Sequence, residues 1–145
     1  MIGKILFIVV VLFSILGSGF KFYRFFWWDL LVHFTAGMCL TSIGFGIAKG
    51  VPNLKLKHIL IFSFMFALSS HVIWELFEFT CDQIFGSNMQ RWHFDPSLPD
   101  TYGRIITKRT PGVIDTMTDF IANISGATLM CLGYLFWYKD SKKSK

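Results

Sequence analysis

Four long runs of apolar residues, almost free of charge, constrain this chain more than any other feature. They cover residues 5–20, 30–48, 59–80 and 113–138. A helix needs about 20 such residues to cross a bilayer, and the last three runs meet this length. Only 16% of the residues are charged, against about 25% in soluble domains. The sequence therefore predicts an all-α, polytopic membrane protein, in which residues 1–145 form a single domain built as a four-helix transmembrane bundle.

The composition excludes several other classes of protein. A chain with 53% hydrophobic residues is too apolar to be disordered, and its three cysteines are too few for a disulfide scaffold. The net charge of +5 is basic, but the basic residues flank apolar runs instead of forming the polar surface that nucleic acid requires. We expect membrane lipid as the surroundings and no nucleic-acid partner.

The first apolar run permits a second interpretation. Lys4, the apolar residues 5–16 and the small residues Gly17, Ser18 and Gly19 resemble a secretory signal peptide. The aromatic and basic residues 21–28, however, leave almost no spacer before the second run. We therefore expect an uncleaved first span.

The distribution of Lys and Arg predicts the orientation of the spans. If the N-terminus lies in the cytoplasm, eight of the 14 basic residues also lie there. Four of the other six fall in one long polar segment, and charges in long loops have less influence on the orientation of the spans. This segment, residues 81–111, contains Gly86, Pro96, Pro99 and Gly103 and reads as an extracytoplasmic loop. We expect a multi-pass protein of the cell (inner or plasma) membrane with both termini in the cytoplasm.

Acids and histidines recur at helical spacing within three of the four runs. They are Asp29 and His33 in the second run, His71, Glu75, Glu78 and Asp82 in the third, and Asp115 and Asp119, followed by Asn123, in the fourth. On a helix, the four residues of the third run lie within about 60° of one another. With alternating span directions, all three rows fall about 5–15 Å into the outer leaflet. We expect them to meet in one pocket.

Charges at this depth are costly unless they are paired, hydrated or bound to a cation. Since the same helix halves contain no Lys or Arg, a divalent cation is the simplest compensation. Oxygen-rich ligation with two histidines suits Zn, Mn or Fe, and the cysteines Cys39, Cys81 and Cys131 lack thiolate-site spacing. The predicted metal ligands are His33, His71, Glu75, Asp119 and Asp29, while Glu78 and Asp115 are predicted as catalytic base or further ligands. No other cofactor is expected.

Each of these residues also has a simpler interpretation. Asp29 could serve only as a helix N-cap, and Asp115 could only complement a helix dipole. Glu78 and Asp82 lie near the membrane interface, where they could be solvated. Carboxylates that share protons could replace a metal altogether.

The polar loop supplies candidate substrate contacts. Asn88, Gln90, Arg91 and Arg104 could donate hydrogen bonds to a phosphate group, for which arginine is well suited. The alternative is a basic loop that rests on anionic lipid head groups. Within the spans, Gly37 and Gly126 continue the faces that carry His33 and Asp119, and residues this small allow helices to approach closely.

Several short motifs of the chain resemble those of the YjdF-like group of small bacterial integral membrane proteins. The matching strings are Trp28-Asp29-x3-His33-Phe34-x2-Gly37, Trp74-Glu75-x2-Glu78-Phe79, Phe85-Gly86-x3-Gln90 and Asp115-Thr116-x2-Asp119-x3-Asn123-x2-Gly126-Ala127. The resemblance covers about residues 28–128. Members of this group often carry additional spans and a further acid where this chain has Gly112, Val113 and Ile114. The resemblance implies a polar site and no particular reaction.

Three functions are compatible with such a site. The first is a metal-dependent hydrolase or transferase acting on a lipid or polyprenyl-linked head group. The second is a small transporter or ion-coupling subunit that protonates the same acids. The third is a non-catalytic partner in a homo-oligomer or in an assembly with another membrane protein.

Overall fold

A computed structural model describes residues 2–90 and 111–143. Within this part of the chain every long element is a helix. The four helices are α1 (Ile2–Gly19), α2 (Phe26–Lys49), α3 (Leu56–Phe85) and α4 (Pro111–Lys143), and a short 3-10 helix, Phe22–Arg24, joins the first two. All four are long and apolar enough to cross a membrane. The all-α prediction with four candidate spans is therefore confirmed.

The helix boundaries correct the sequence prediction at two places. Helix α2 begins at Phe26 after an N-cap at Phe25, so Asp29 lies in its first turn and is not the N-cap. Helix α3 continues to Phe85, beyond the predicted end at residue 80, and ends where Gly86 takes a left-handed conformation (φ 63°). Residues 81–85 are therefore helical instead of forming the start of the loop. The fourth helix begins at Pro111, two residues before the apolar run 113–138.

Helix α2 lies at the centre of the bundle and contacts the other three helices. Its approach to α4 is so close that a Cβ atom on Gly37 would overlap the backbone carbonyl of Asn123. A Cβ atom on Gly126 would likewise overlap the backbone carbonyl of Phe34. The predicted packing role of these two glycines is confirmed, and it brings the faces that carry His33 and Asp119 together.

The two ends of the bundle differ in chemistry. We call the end where α2 begins, α3 ends and α4 begins the loop end, and the opposite end the terminal end. The terminal end contains an apolar core of Phe45, Ala48 and Ile59, and the ring of Phe45 stacks on that of Tyr134 with centroids 3.8 Å apart. The buried acids and histidines lie at the loop end, while many large apolar side chains on the outer faces of the helices are exposed, as in helices that face lipid.

Candidate functional site

Three helices place a group of buried ionisable side chains at the loop end of the bundle. We call this group the polar cluster; it consists of Asp29 and His33 on α2, His71, Glu75 and Glu78 on α3, and Asp115 and Asp119 on α4. All seven residues are buried, and so are Asp82 and Asn123 from the same rows. The alternative in which Glu78 and Asp82 are solvated is therefore wrong.

His33 links α2 to α4 within the polar cluster. Its Nε2 atom lies 3.5 Å from Oδ1 of Asp29, one turn earlier on α2. The same nitrogen lies 3.6 Å from Oδ2 of Asp119, which α4 supplies. The second contact depends on the close approach of α2 and α4, because the two residues are far apart in sequence. The predicted rows of ligands on these helices therefore do meet.

His71 links α3 to both of the other helices. Its Nε2 atom lies 3.4 Å from Oε1 of Glu75, one turn later on α3. Its ring packs at nearly a right angle against the ring of His33 on α2, with centroids 5.1 Å apart. The ring of Phe120 on α4 packs edge-on against it at 4.5 Å. These contacts hold both imidazoles in the centre of the three-helix arrangement.

Several polar atoms of the cluster lack hydrogen-bond partners within residues 2–90 and 111–143. They are Nε2 of His71, Oε1 of Glu75 and both carboxylate oxygens of Asp119. Asn123, one turn further along α4, is equally buried and has neither amide atom bonded among these residues. A buried polar atom without a partner carries an unfavourable desolvation cost. These atoms therefore point to a bound ligand that would satisfy them.

Two triads of donor atoms in the cluster are close enough together that each could hold a metal ion. His33, His71 and Glu75 each offer one ligand atom within 4.8 Å of the other two, and Asp29, His33 and Asp119 do the same. Zinc binds nitrogen and oxygen donors at about 2.0–2.2 Å, so small side-chain rotations would bring either triad into coordination. Two imidazoles with carboxylates also suit Mn and Fe. The three cysteines are free thiols and belong to neither triad.

Glu78 lies in the cluster but in neither triad. Its Oε1 atom accepts a hydrogen bond of 2.8 Å from the indole N–H of Trp74. The sequence analysis did not predict this hydrogen bond, although Trp74 precedes Glu78 by four residues and so lies on the same face of the helix. Asp115, on α4, is almost fully buried and its charge interacts with that of Asp119. The catalytic roles of Glu78 and Asp115 stay predictions.

The chain folds back over the cluster directly after α3. Gln90 reaches Glu75 and Thr116 with its side-chain amide, and Asn88 is half-buried in the same segment. The predicted substrate contacts Arg91 and Arg104 lie outside the described residues. The sequence did not predict the contact of Thr116 with Gln90, because the position of Thr116 beside the acids of α4 does not distinguish it from other threonines.

Comparisons with known proteins place the chain among membrane proteins. A model of the family described as "Predicted membrane protein (DUF2238)" matches residues 2–141. A protein of Thermotoga maritima described as "Uncharacterized protein" is 27% identical over 138 residues, covering 88% of this chain and 62% of the relative. The chain thus spans about three-fifths of that relative's length. No solved structure matches significantly. The two matches agree with the resemblance inferred from the motifs.

Proposed function

Since the chain belongs to the family described as "Predicted membrane protein (DUF2238)", we propose that it is a membrane enzyme that binds a divalent cation and hydrolyses or transfers a lipid-linked head group. The observation that carries this proposal is the convergence of three helices on one buried site. There, His33, His71 and Glu75 form one triad of donors, and Asp29 and Asp119 complete a second around the same His33.

The charge of the cluster supports a metal over a set of shared protons. It contains five carboxylates, and no Lys or Arg is among the buried residues that the structure describes. A divalent cation offsets part of this charge and also provides a partner for Oε1 of Glu75 and for both oxygens of Asp119. A shared proton could join Oε1 of Glu75 to Nε2 of His71, which lie 3.4 Å apart, but a proton on Asp119 would reach only one of its two unpartnered oxygens. A cation therefore satisfies more of the observed atoms.

The residues around the triads suit hydrolysis or group transfer. A bound divalent cation polarises a phosphoryl or carbonyl oxygen and makes nearby water more acidic. Glu78, oriented by Trp74, accepts the proton of the attacking water or hydroxyl group, and Asp115 assists as a further ligand or base. As the sequence predicts, Asn88, Arg91 and Arg104 would donate hydrogen bonds to the phosphate of the head group.

The transporter and assembly alternatives find less support. A transporter needs a polar path beyond the cluster, but Phe45 and Tyr134 stack across the terminal end of the bundle. The buried hydroxyls of Thr41 and Ser63 donate to carbonyls of their own helices and so offer no continuous chain of polar groups. An assembly partner that pairs cations with the acids would leave the two triads of donor atoms around His33 unexplained.

Metal analysis of the purified protein tests the proposal. We expect the wild-type protein in detergent to retain about one equivalent of Zn, Mn or Fe per chain, as one site of this donor set would hold. His71→Ala removes a central donor and should lose that metal. The matched control is His58→Ala, because His58 is exposed at the start of α3, far from the cluster. Equal metal content in wild-type and His71→Ala proteins would contradict the metal site.

The reaction is tested by comparing lipid extracts of cells with and without the gene. We expect one lipid-linked phosphate compound to accumulate when the gene is deleted, because its head group is no longer removed or transferred. Expression of the wild-type chain or of His58→Ala should reverse the accumulation, and His71→Ala should not. An unchanged lipid composition would favour the transport or assembly function instead.

The proposal also includes an orientation, with both termini in the cytoplasm and the cluster near the outer surface. It rests on the basic residues that flank the spans. We expect a fluorescent protein fused after residue 145 to fold and fluoresce, and a periplasmic phosphatase fused after Gln90 to be active. The reverse pair of results would show the opposite orientation and place the site at the cytoplasmic surface.

A further inference from the structure

The segment that follows α3 carries a role that neither the family nor the sequence motifs assign. We infer that Gln90 is a positioning residue, which fixes the carboxylate of Glu75 for metal binding and is itself held in place by Asp82. The inference rests on the proposed function, since it concerns the same metal site. It differs from the predicted substrate-binding role of Gln90, because the side-chain amide is directed at a ligand residue.

Asp82 anchors the segment by accepting three hydrogen bonds. Its Oδ1 atom accepts from the hydroxyl of Ser87 at 2.6 Å and from the backbone N–H of Met89 at 2.7 Å. Its Oδ2 atom accepts from the backbone N–H of Gln90 at 2.9 Å. The carboxylate is 3% exposed, so these bonds form away from bulk water. This last acid of the α3 row therefore organises the backbone beyond the helix instead of facing the cluster.

The anchored backbone directs the amide of Gln90 between α3 and α4. Its Nε2 atom lies 3.1 Å from Oγ1 of Thr116 on α4. The same nitrogen lies 3.5 Å from Oε2 and 3.4 Å from the backbone oxygen of Glu75 on α3. An amide NH2 group has two donor hydrogens, so it can serve the hydroxyl and the carboxylate together.

The two oxygens of Glu75 then have different partners. Oε2 faces the amide of Gln90, and the hydroxyl of Thr116 also bonds to this carboxylate. Oε1 faces Nε2 of His71 at 3.4 Å and has no hydrogen bond within the described residues. Glu75 is therefore held with one oxygen directed toward the metal triad. Such outer hydrogen bonds to a ligand orient it and typically change metal affinity by about 10–100-fold.

Zinc titrations of single variants test this role. We expect Gln90→Met, which keeps the size of the side chain but removes the donor, to weaken Zn²⁺ binding about 10–100-fold. Gln83→Met is the matched control, because Gln83 is exposed on the last turns of α3, and it should bind Zn²⁺ like the wild type. In the Co²⁺-loaded protein, the visible absorption bands should shift for Gln90→Met alone, because the geometry at Glu75 changes.

A double-mutant cycle tests whether Asp82 acts through Gln90. Asp82→Asn removes an acceptor from the segment and should also weaken Zn²⁺ binding. If Asp82 contributes only by holding Gln90, the double variant (Asp82→Asn with Gln90→Met) should bind Zn²⁺ with the same affinity as the single variant that has the lower affinity. Losses that add in the double variant would overturn this part of the inference. Thr116→Val, which removes the other partner of the amide and a further hydrogen bond to Glu75, should also weaken Zn²⁺ binding and serves if Asp82→Asn fails to fold.

The outcomes separate this inference from the proposed function. A wild-type protein that binds no metal would overturn both. A wild-type protein that binds Zn²⁺, together with a Gln90→Met protein of equal affinity and unchanged Co²⁺ spectrum, would overturn only the role of Gln90. A lower thermal stability of metal-free Gln90→Met with unchanged affinity would have the same meaning, because the residue would then serve the fold alone.

Discussion

Replacing Gly126 by alanine is expected to lower the free energy of unfolding by about 3 kcal/mol or more, at the upper end of what overpacking costs. The added Cβ atom would overlap the backbone carbonyl of Phe34 and lie 3.3 Å from the backbone nitrogen of Met38. A helix backbone cannot rotate aside as a side chain can, so α2 and α4 must separate. Thermal unfolding of the purified protein in detergent measures the effect.

The same helix provides the control for this substitution. Apart from the adjacent backbone of α4 itself, no atom of the described residues lies within 4 Å of the position that a Cβ atom on Gly133 would take. Gly133→Ala should therefore leave the stability unchanged or raise it, since alanine favours a helix over glycine by about 1 kcal/mol. Equal melting temperatures for Gly126→Ala and Gly133→Ala would contradict the close approach of α2 and α4. Because that approach brings His33 to Asp119, Gly126→Ala should also weaken metal binding.

The substitution Asp119→Asn should have opposite effects on stability with and without metal. Asp119 is 1% exposed, and neither of its carboxylate oxygens has a hydrogen-bond partner within the described residues. Without metal, the neutral amide should raise the free energy of unfolding, because it removes one of the five carboxylates that lie together in the buried cluster. With Zn²⁺ at 100 times its Kd, the wild-type protein should gain about 2.7 kcal/mol, and the variant should gain much less.

Thermal unfolding with a chelator and then with excess Zn²⁺ measures both effects on one preparation. Asp140→Asn is the matched control, because Asp140 is an exposed acid at the other end of α4. It should change the stability by no more than about 0.5 kcal/mol in either condition. A variant Asp119→Asn that Zn²⁺ stabilises as strongly as the wild type would show that Asp119 is not a ligand.

The motif at Asp82 shows how far spacing alone can lead. Its position four residues beyond Glu78 placed it correctly on the buried face of α3. Spacing could not show that its carboxylate bonds to Met89 and Gln90, because that depends on how the chain turns after Gly86. The sequence therefore predicted that the Asp82 carboxylate lies on this face, but it did not predict which groups the carboxylate binds.

The number of helices, their apolar character and the faces on which the ionisable residues lie could all be predicted from the residues alone. These properties are local, since hydrophobic length and the 3.6-residue period act within each segment. Which faces meet could not be predicted, because the rotation of each helix depends on contacts between distant residues, such as Gly37 with Asn123 and Gly126 with Phe34. The packed structure also showed that α3 extends to Phe85 and that Gln90 returns to Glu75. The residues of the polar cluster are thus visible in the sequence as three rows at helical spacing. They form one site only because Gly37 and Gly126 allow α2 and α4 to pack closely.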